Sequence, residues 1–141
     1  MIDTRVMGID FGEARIGVAL SDPTRTLATP LTTLHEKDKG RQITRVLDLI
    51  REHDVSEVVV GLPYALDGTE GAIASMARKY AEKLARVGEI RVVLMDERFS
   101  SFEAEERLKA TRKKGGKRRV KSDLDQAAAA VILQRYLDEP A

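Results

Sequence analysis

The sequence predicts an α/β fold, a mixed five-stranded sheet with helices laid on it, and three observations predict it. Apolar runs at Val6–Ile9, Ile16–Leu20 and Leu27–Leu34 come first, close together and separated by turn residues, as in a hairpin meander. Ile43, Val46, Leu47 and Ile50 then recur at helical spacing. After them, the strand-like runs Val58–Val60 and Arg91–Met95 alternate with helical patterns, which is the order of parallel strands joined by crossovers.

The elements follow in order. Val6, Met7 and Ile9 predict a short buried strand ending at Asp10, with Gly8 and Gly12 on either side of the acid, where missing side chains let backbone or ligand approach. Ile16, Val18 and Leu20 alternate with small residues, so a hairpin partner leaves that turn. Asp22-Pro23-Thr24 turns the chain into a third strand, and Pro30 confines that strand to a sheet edge. A helix is expected from Asp38 to His53. Val58-Val59-Val60, β-branched throughout, predicts a strand covered on both faces and ending at Gly61-Leu62-Pro63. Thr69 is expected to cap a second helix whose inner face carries Ile73, Met76, Ala77, Tyr80 and Leu84 and which Gly88 closes. The fifth strand runs into Asp96-Glu97-Arg98. Ser100 and Glu103 predict a capping box on a short helix. The last helix begins near Ser122 and presents Leu124, Ala127, Ala128, Val131 and Ile132 on one face.

The 141 residues give room for one domain over 1–141 with one real core. No run of 18 apolar residues occurs, and the chain starts in a strand without a basic and apolar leader, so membrane and export are not expected. With no Cys, the sequence excludes disulfides, thiolate catalysis and cysteine zinc sites, and a cytoplasmic protein is expected. The net charge of +1 hides an uneven distribution. Lys109, Arg112, Lys113, Lys114, Lys117, Arg118, Arg119 and Lys121 lie in one stretch without an acid, leaving 16 basic against 23 acidic residues elsewhere. An acidic body with one basic segment predicts a local contact with a polyanion.

Three carboxylates fall at element ends: Asp10 after strand one, Glu97 after strand five, and Asp125 in the first turn of the last helix. Parallel strands one and five would bring two of them to one rim of the sheet, where α/β proteins bind ligands, and the helix would bring the third. Such a cluster repels itself unless a divalent cation intervenes, and hard oxygen donors suit Mg²⁺ or Mn²⁺. Each acid also has an ordinary explanation, a turn for Asp10, a surface ion pair with Arg98 for Glu97, and a cap with Ser122 for Asp125. Asp22, Asp67, Asp96 and Asp123 are neighbouring alternatives. His35 and His53 lack metal-ligand spacing, and Ser100 and Ser101 lack a His-Asp partner.

Four blocks, GIDFGEARIGVALSD, GLPYALDGTE, MDERFSSFEAE and SDLDQAAAAVILQRYL, together resemble the YqgF/RuvX family of bacterial resolvases and nucleases within the RNase H-like superfamily. The resemblance implies an RNase H-like fold with strands one to three antiparallel and strands four and five parallel to strand one. It implies a nuclease centre using Mg²⁺ or Mn²⁺, held by Asp10, Glu97 and Asp125 as catalytic and metal-binding residues. Arg15, Gly12, Gly61, Pro63, Gly68, Thr69 and Arg98 match motif positions that support the site or contact phosphate.

The expected function is a metal-dependent endonuclease on structured RNA or branched DNA, with Arg15, Arg98 and the segment from Arg112 to Lys121 holding the backbone. Aromatic residues make up only 4%, so recognition by shape is expected over sequence-specific readout by base stacking. The family implies two substrates, the 5′ end of pre-16S rRNA or a four-way DNA junction, and the second requires a homodimer. Two other classes compete: an ATP-binding module, since Gly-Ile-Asp-Phe-Gly also resembles an actin-like phosphate loop, and a nucleic-acid-binding protein without catalysis.

Overall fold

The computed structural model describes residues 4–62, 71–96 and 121–139. In chain order the elements are β1 (Arg5–Asp10), β2 (Arg15–Ser21), β3 (Ala28–His35), α1 (Lys39–Glu52), β4 (Val55–Leu62), α2 (Ala72–Gly88), β5 (Arg91–Asp96) and α3 (Lys121–Leu137). The sheet order is β3-β2-β1-β4-β5. The first three strands pair antiparallel, while β4 pairs parallel to β1 and β5 parallel to β4. Asp10 and Asp96, which end β1 and β5, therefore lie on the same rim. This is the RNase H-like arrangement expected.

Alternation along the strands sorts the core onto two faces. Met7, Ile9, Ile16, Val18, Val58 and Val60 pack with Ile43 and Val46 of α1 and with Tyr80 and Leu84 of α2. Val6, Ala19 and Val59 point to the other face, where Ala129, Ala130, Ile132 and Leu133 of α3 cover them. Val58, Val59 and Val60 are fully buried, as a strand covered on both faces requires. Pro30 does sit on an edge strand. Between Val18↔Thr32 and Ala19↔Pro30 the register skips Leu31, so the proline sits next to a bulge.

The first helix starts as expected, with the Asp38 carboxylate accepting from the Arg41 N–H at 2.9 Å. At the second, the structure corrects two expectations. Gly71 occupies the N-cap, not Thr69, which lies outside the described residues. The buried face carries Ala74 and Ala81 with Ala77, Tyr80 and Leu84, while Ile73 is exposed, because small residues let the helix approach the sheet closely. The helix does close at Gly88, with the left-handed step falling on Glu89 at φ 49°. What Gly88 provides is space: a Cβ there would stand 2.7 Å from Leu47 Cδ2 of α1.

A further correction concerns α3. The expected single apolar face is instead a run of seven consecutive buried residues, Ala127 to Leu133, so burial runs around the helix. Its end is tied to β3 by Gln134, whose Oε1 accepts from the Ala28 N–H at 2.8 Å and whose Nε2 donates to the Thr26 carbonyl at 3.0 Å. The short helix expected after Ser100 and the basic segment Lys109–Arg119 lie outside the described residues.

Candidate active site

In β1 the alternation that buries Met7 and Ile9 against α1 and α2 turns Val6, Gly8 and Asp10 toward α3. Asp10 pairs in register with Gly17 of β2. At both glycines α3 comes down onto the strand backbone. A Cβ on Gly8 would lie 2.7 Å from Leu133 Cβ and 2.8 Å from the Ala129 carbonyl oxygen, and one on Gly17 would collide with the Asp125 carbonyl and lie 2.8 Å from Gln126 N. The helix turn bearing Asp125 therefore rests on the residue that faces Asp10 across the hairpin. Missing side chains, not a ligand, are what Gly8 supplies here: the backbone that approaches is the helix.

Asp125 makes an ion pair with Arg15, Nε to Oδ2 2.9 Å, between side chains that are 33% and 21% exposed. Arg15 opens β2, so the pair fixes the carboxylate relative to the strand. In this pair Asp125 reaches out to β2, from a helix that begins at Lys121, one residue before Ser122. Nearby, the Thr33 hydroxyl donates to Gln126 Oε1 at 3.4 Å, a longer contact between β3 and the same helix turn.

Of the residues singled out in the sequence, the structure joins Arg15 to Asp125 and seats the helix turn of Asp125 on Gly17, the strand position opposite Asp10. Gly12 lies in the turn after β1, and Gly61 is buried near the end of β4. Lys121 is the first residue of α3. Glu97, Pro63, Gly68, Thr69, Arg98, Arg112, Lys113, Lys114, Lys117, Arg118 and Arg119 lie outside the described residues. Gly17, Gln126 and Gln134 carry structural weight that the sequence reading missed. The signal was present at Gly17, Ala19 and Ser21, small residues at every second position of β2, all on the face that α3 covers.

The donor chemistry fits a divalent cation of the hard, oxygen-seeking kind: two carboxylates from separate elements on one face at the rim. Among the described residues no group of three acidic or histidine side chains converges. Asp22, at the opposite end of β2, has its carboxyl lowered to about 2 by the Leu27 N–H, the Thr24 hydroxyl and the Thr26 N–H. It serves as the acceptor of a turn and not as a metal ligand.

A family model described as "RuvX: Holliday junction resolvase" matches residues 4–139. Proteins from Anaeromyxobacter sp. (strain Fw109-5) and Roseiflexus sp. (strain RS-1) are 44% and 41% identical, the matches covering 95% of this chain in each case and 96% and 94% of those proteins. Both bear the name "Putative pre-16S rRNA nuclease". Among solved structures, T. thermophilus RuvC in complex with a Holliday junction substrate superposes with a TM-score of 0.60 at 20% identity, covering 92% of this chain and 91% of that one. At that identity the likeness is one of fold. The family match and the relatives agree over nearly the whole length, and the chain belongs to the RuvX family.

Proposed function

We propose that this chain is a divalent-metal-dependent endonuclease that hydrolyses phosphodiesters of structured nucleic acid, and that it trims the 5′ end of pre-16S rRNA in the cytoplasm. The observation that carries this reading is the seating of α3 on Gly17, which sets Asp125 beside the strand position opposite Asp10. Asp10, Glu97 and Asp125 would hold Mg²⁺ or Mn²⁺. Bound there, such a cation supplies activation of water and charge stabilisation of the leaving oxygen. Arg15 keeps Asp125 oriented. Arg98 and the basic residues Arg112, Lys113, Lys114, Lys117, Arg118, Arg119 and Lys121 hold phosphates and make affinity salt-dependent. The RNA substrate is favoured because relatives at 40–44% identity carry the rRNA nuclease name, whereas RuvC is 20% identical.

A second reading, resolution of four-way DNA junctions, is favoured by the description of the family model. It requires two active sites and hence a symmetric homodimer.

The test compares cleavage of a pre-16S rRNA 5′ leader and a mobile four-way DNA junction, each with Mg²⁺ or Mn²⁺, by the natural chain and Asp10→Asn. Cleavage of the leader, lost in the variant, is expected. Cleavage of the junction alone would transfer the assignment to the second reading, and cleavage of neither would leave a binding protein.

A further inference from the structure

On the sheet face opposite α3, one residue beyond Asp10, a cleft of about 260 Å³ opens between α1 and α2. Among the described residues its walls are Phe11, Ile43, Met76 and Tyr80, and three lysines, Lys39, Lys79 and Lys83, stand around it. The Phe11 and Tyr80 rings meet at 5.1 Å between centroids, tilted by 51°. Lys39 Nζ lies 4.9 Å over the Phe11 ring and donates to the Glu13 carbonyl at 2.5 Å. Lys79 and Lys83 are one helical turn apart on α2, on the same side and exposed. Tyr80, 5% exposed, has a hydroxyl with no hydrogen-bond partner among the described residues.

The combination is an apolar floor with a ring of ammonium groups, which suits a flat apolar ring attached to phosphate. The volume lies just under the roughly 300 Å³ at which ordinary small-molecule sites begin, room for one base and not for a dinucleotide. The position is continuous with the candidate active site, because Asp10 and Phe11 are consecutive at the same rim and face opposite sides of the sheet. We infer that the cleft over Phe11 receives one unpaired nucleobase of the nucleic-acid substrate, flanking the phosphate held at Asp10, with Lys79 and Lys83 on its sugar-phosphate backbone. This rests on the nuclease reading for the identity of the polymer. Lys39 covers the Phe11 ring in the free chain. The entering base displaces it, and its ammonium turns to a neighbouring phosphate. Stacking of this kind accepts any base, which agrees with recognition by shape. A chain recognising only duplex geometry has no use for such a cleft, so the substrate it implies carries an unpaired nucleotide next to a stem.

The experiment measures binding and not turnover, in Ca²⁺ buffer, with the full chain and two RNA hairpins. One carries a single unpaired 2-aminopurine nucleotide beside its stem, and the other is fully paired. The expected result is quenching of the 2-aminopurine on binding, with roughly ten-fold tighter binding of the hairpin that carries it. Lys79→Ala with Lys83→Ala is expected to remove that preference, while Arg45→Ala with Arg51→Ala, the same loss of charge elsewhere on α1, keeps it. Equal affinity for the two hairpins, an unquenched probe, or equal weakening of both hairpins by the α2 pair would overturn the inference. So would displacement of the probe by micromolar AMP, which would make the cleft a site for free nucleotide. Loss of cleavage in a separate Mn²⁺ assay bears on the nuclease reading alone, since quenching and preference do not depend on it.

Discussion

Arg15 and Asp125, far apart in sequence, meet as an ion pair at 2.9 Å that ties the first residue of β2 to the opening turns of α3. Both side chains are partly exposed, so the pair contributes less than about 1 kcal/mol to stability. Its larger effect is to aim a carboxylate. Arg15→Ala is therefore expected to shift the unfolding midpoint little and to lower cleavage by roughly 10–100-fold through misplacement of Asp125. Parallel thermal melts and rate measurements check this. A large loss of stability with an unchanged rate in the folded fraction would make the pair structural.

Gly17 lies under the α3 backbone, with no space for a methyl group. Gly17→Ala is expected to cost about 1–3 kcal/mol, by forcing the helix off the sheet, and to reduce cleavage further by moving Asp125 from Asp10. Gly71 is the contrasting position. A Cβ there meets nothing within 4 Å, and its place at the α2 N-cap favours a side-chain oxygen. Gly71→Ser is expected to stabilise by a few tenths of a kcal/mol. Urea unfolding of both variants, read with the natural chain, measures the two signs.

Asp22 gives a pH dependence. Its carboxylate accepts from Leu27 N at 2.9 Å and Thr26 N at 2.8 Å, and also from the Thr24 hydroxyl, which together lower its pKa from 3.8 to about 2. A depressed folded value means that the unfolded chain binds the proton more readily. The stabilisation is complete above pH 4 and disappears as pH falls through about 2. Asp22→Asn is expected to flatten the stability profile between those limits, and unfolding midpoints at pH 5, 4, 3 and 2 would show it.

Arg118 and Arg119 lie outside the described residues, and the prediction for them rests on charge. Replacing both with Ala is expected to weaken nucleic-acid binding and to reduce the slope of log affinity against log salt by about 1.4 to 1.8, the loss of two phosphate contacts. Titrations at four salt concentrations measure the slope. An unchanged slope would separate this segment from the phosphates.

The strands were legible because their signals are local and strong. The alternation of Ile16, Val18 and Leu20, the unbroken Val58–Val60 and the single Pro30 each constrain where a strand can lie in a sheet, and the structure agrees with all three. The helix faces were less legible, since Ala carries almost no directional signal. The reading placed Ile73 inside where Ala74 and Ala81 lie, and it assigned α3 one apolar face where burial runs around the helix. The candidate site was read from residue types at element ends, Asp10 and Asp125. What could not be read was the seating of the Asp125 turn on Gly17, because it depends on an absent side chain, and a glycine looks the same in sequence whether it makes a turn or admits a helix. The partnership of Arg15 with Asp125 was hidden likewise, since an arginine in a motif gives no sign of which acid it will meet.

Because α3 supplies one of the two described carboxylates of the proposed site and β1 the other, that site would be incomplete on a partly made chain. A nascent polypeptide carrying β1 to β5 has its sheet and the first acid, but it has no Asp125, no Arg15 partner and no cover over Gly8 and Gly17. Under the proposed nuclease reading, cleavage would therefore wait until the α3 segment is made and has docked, and the order of synthesis would keep a half-made chain inactive.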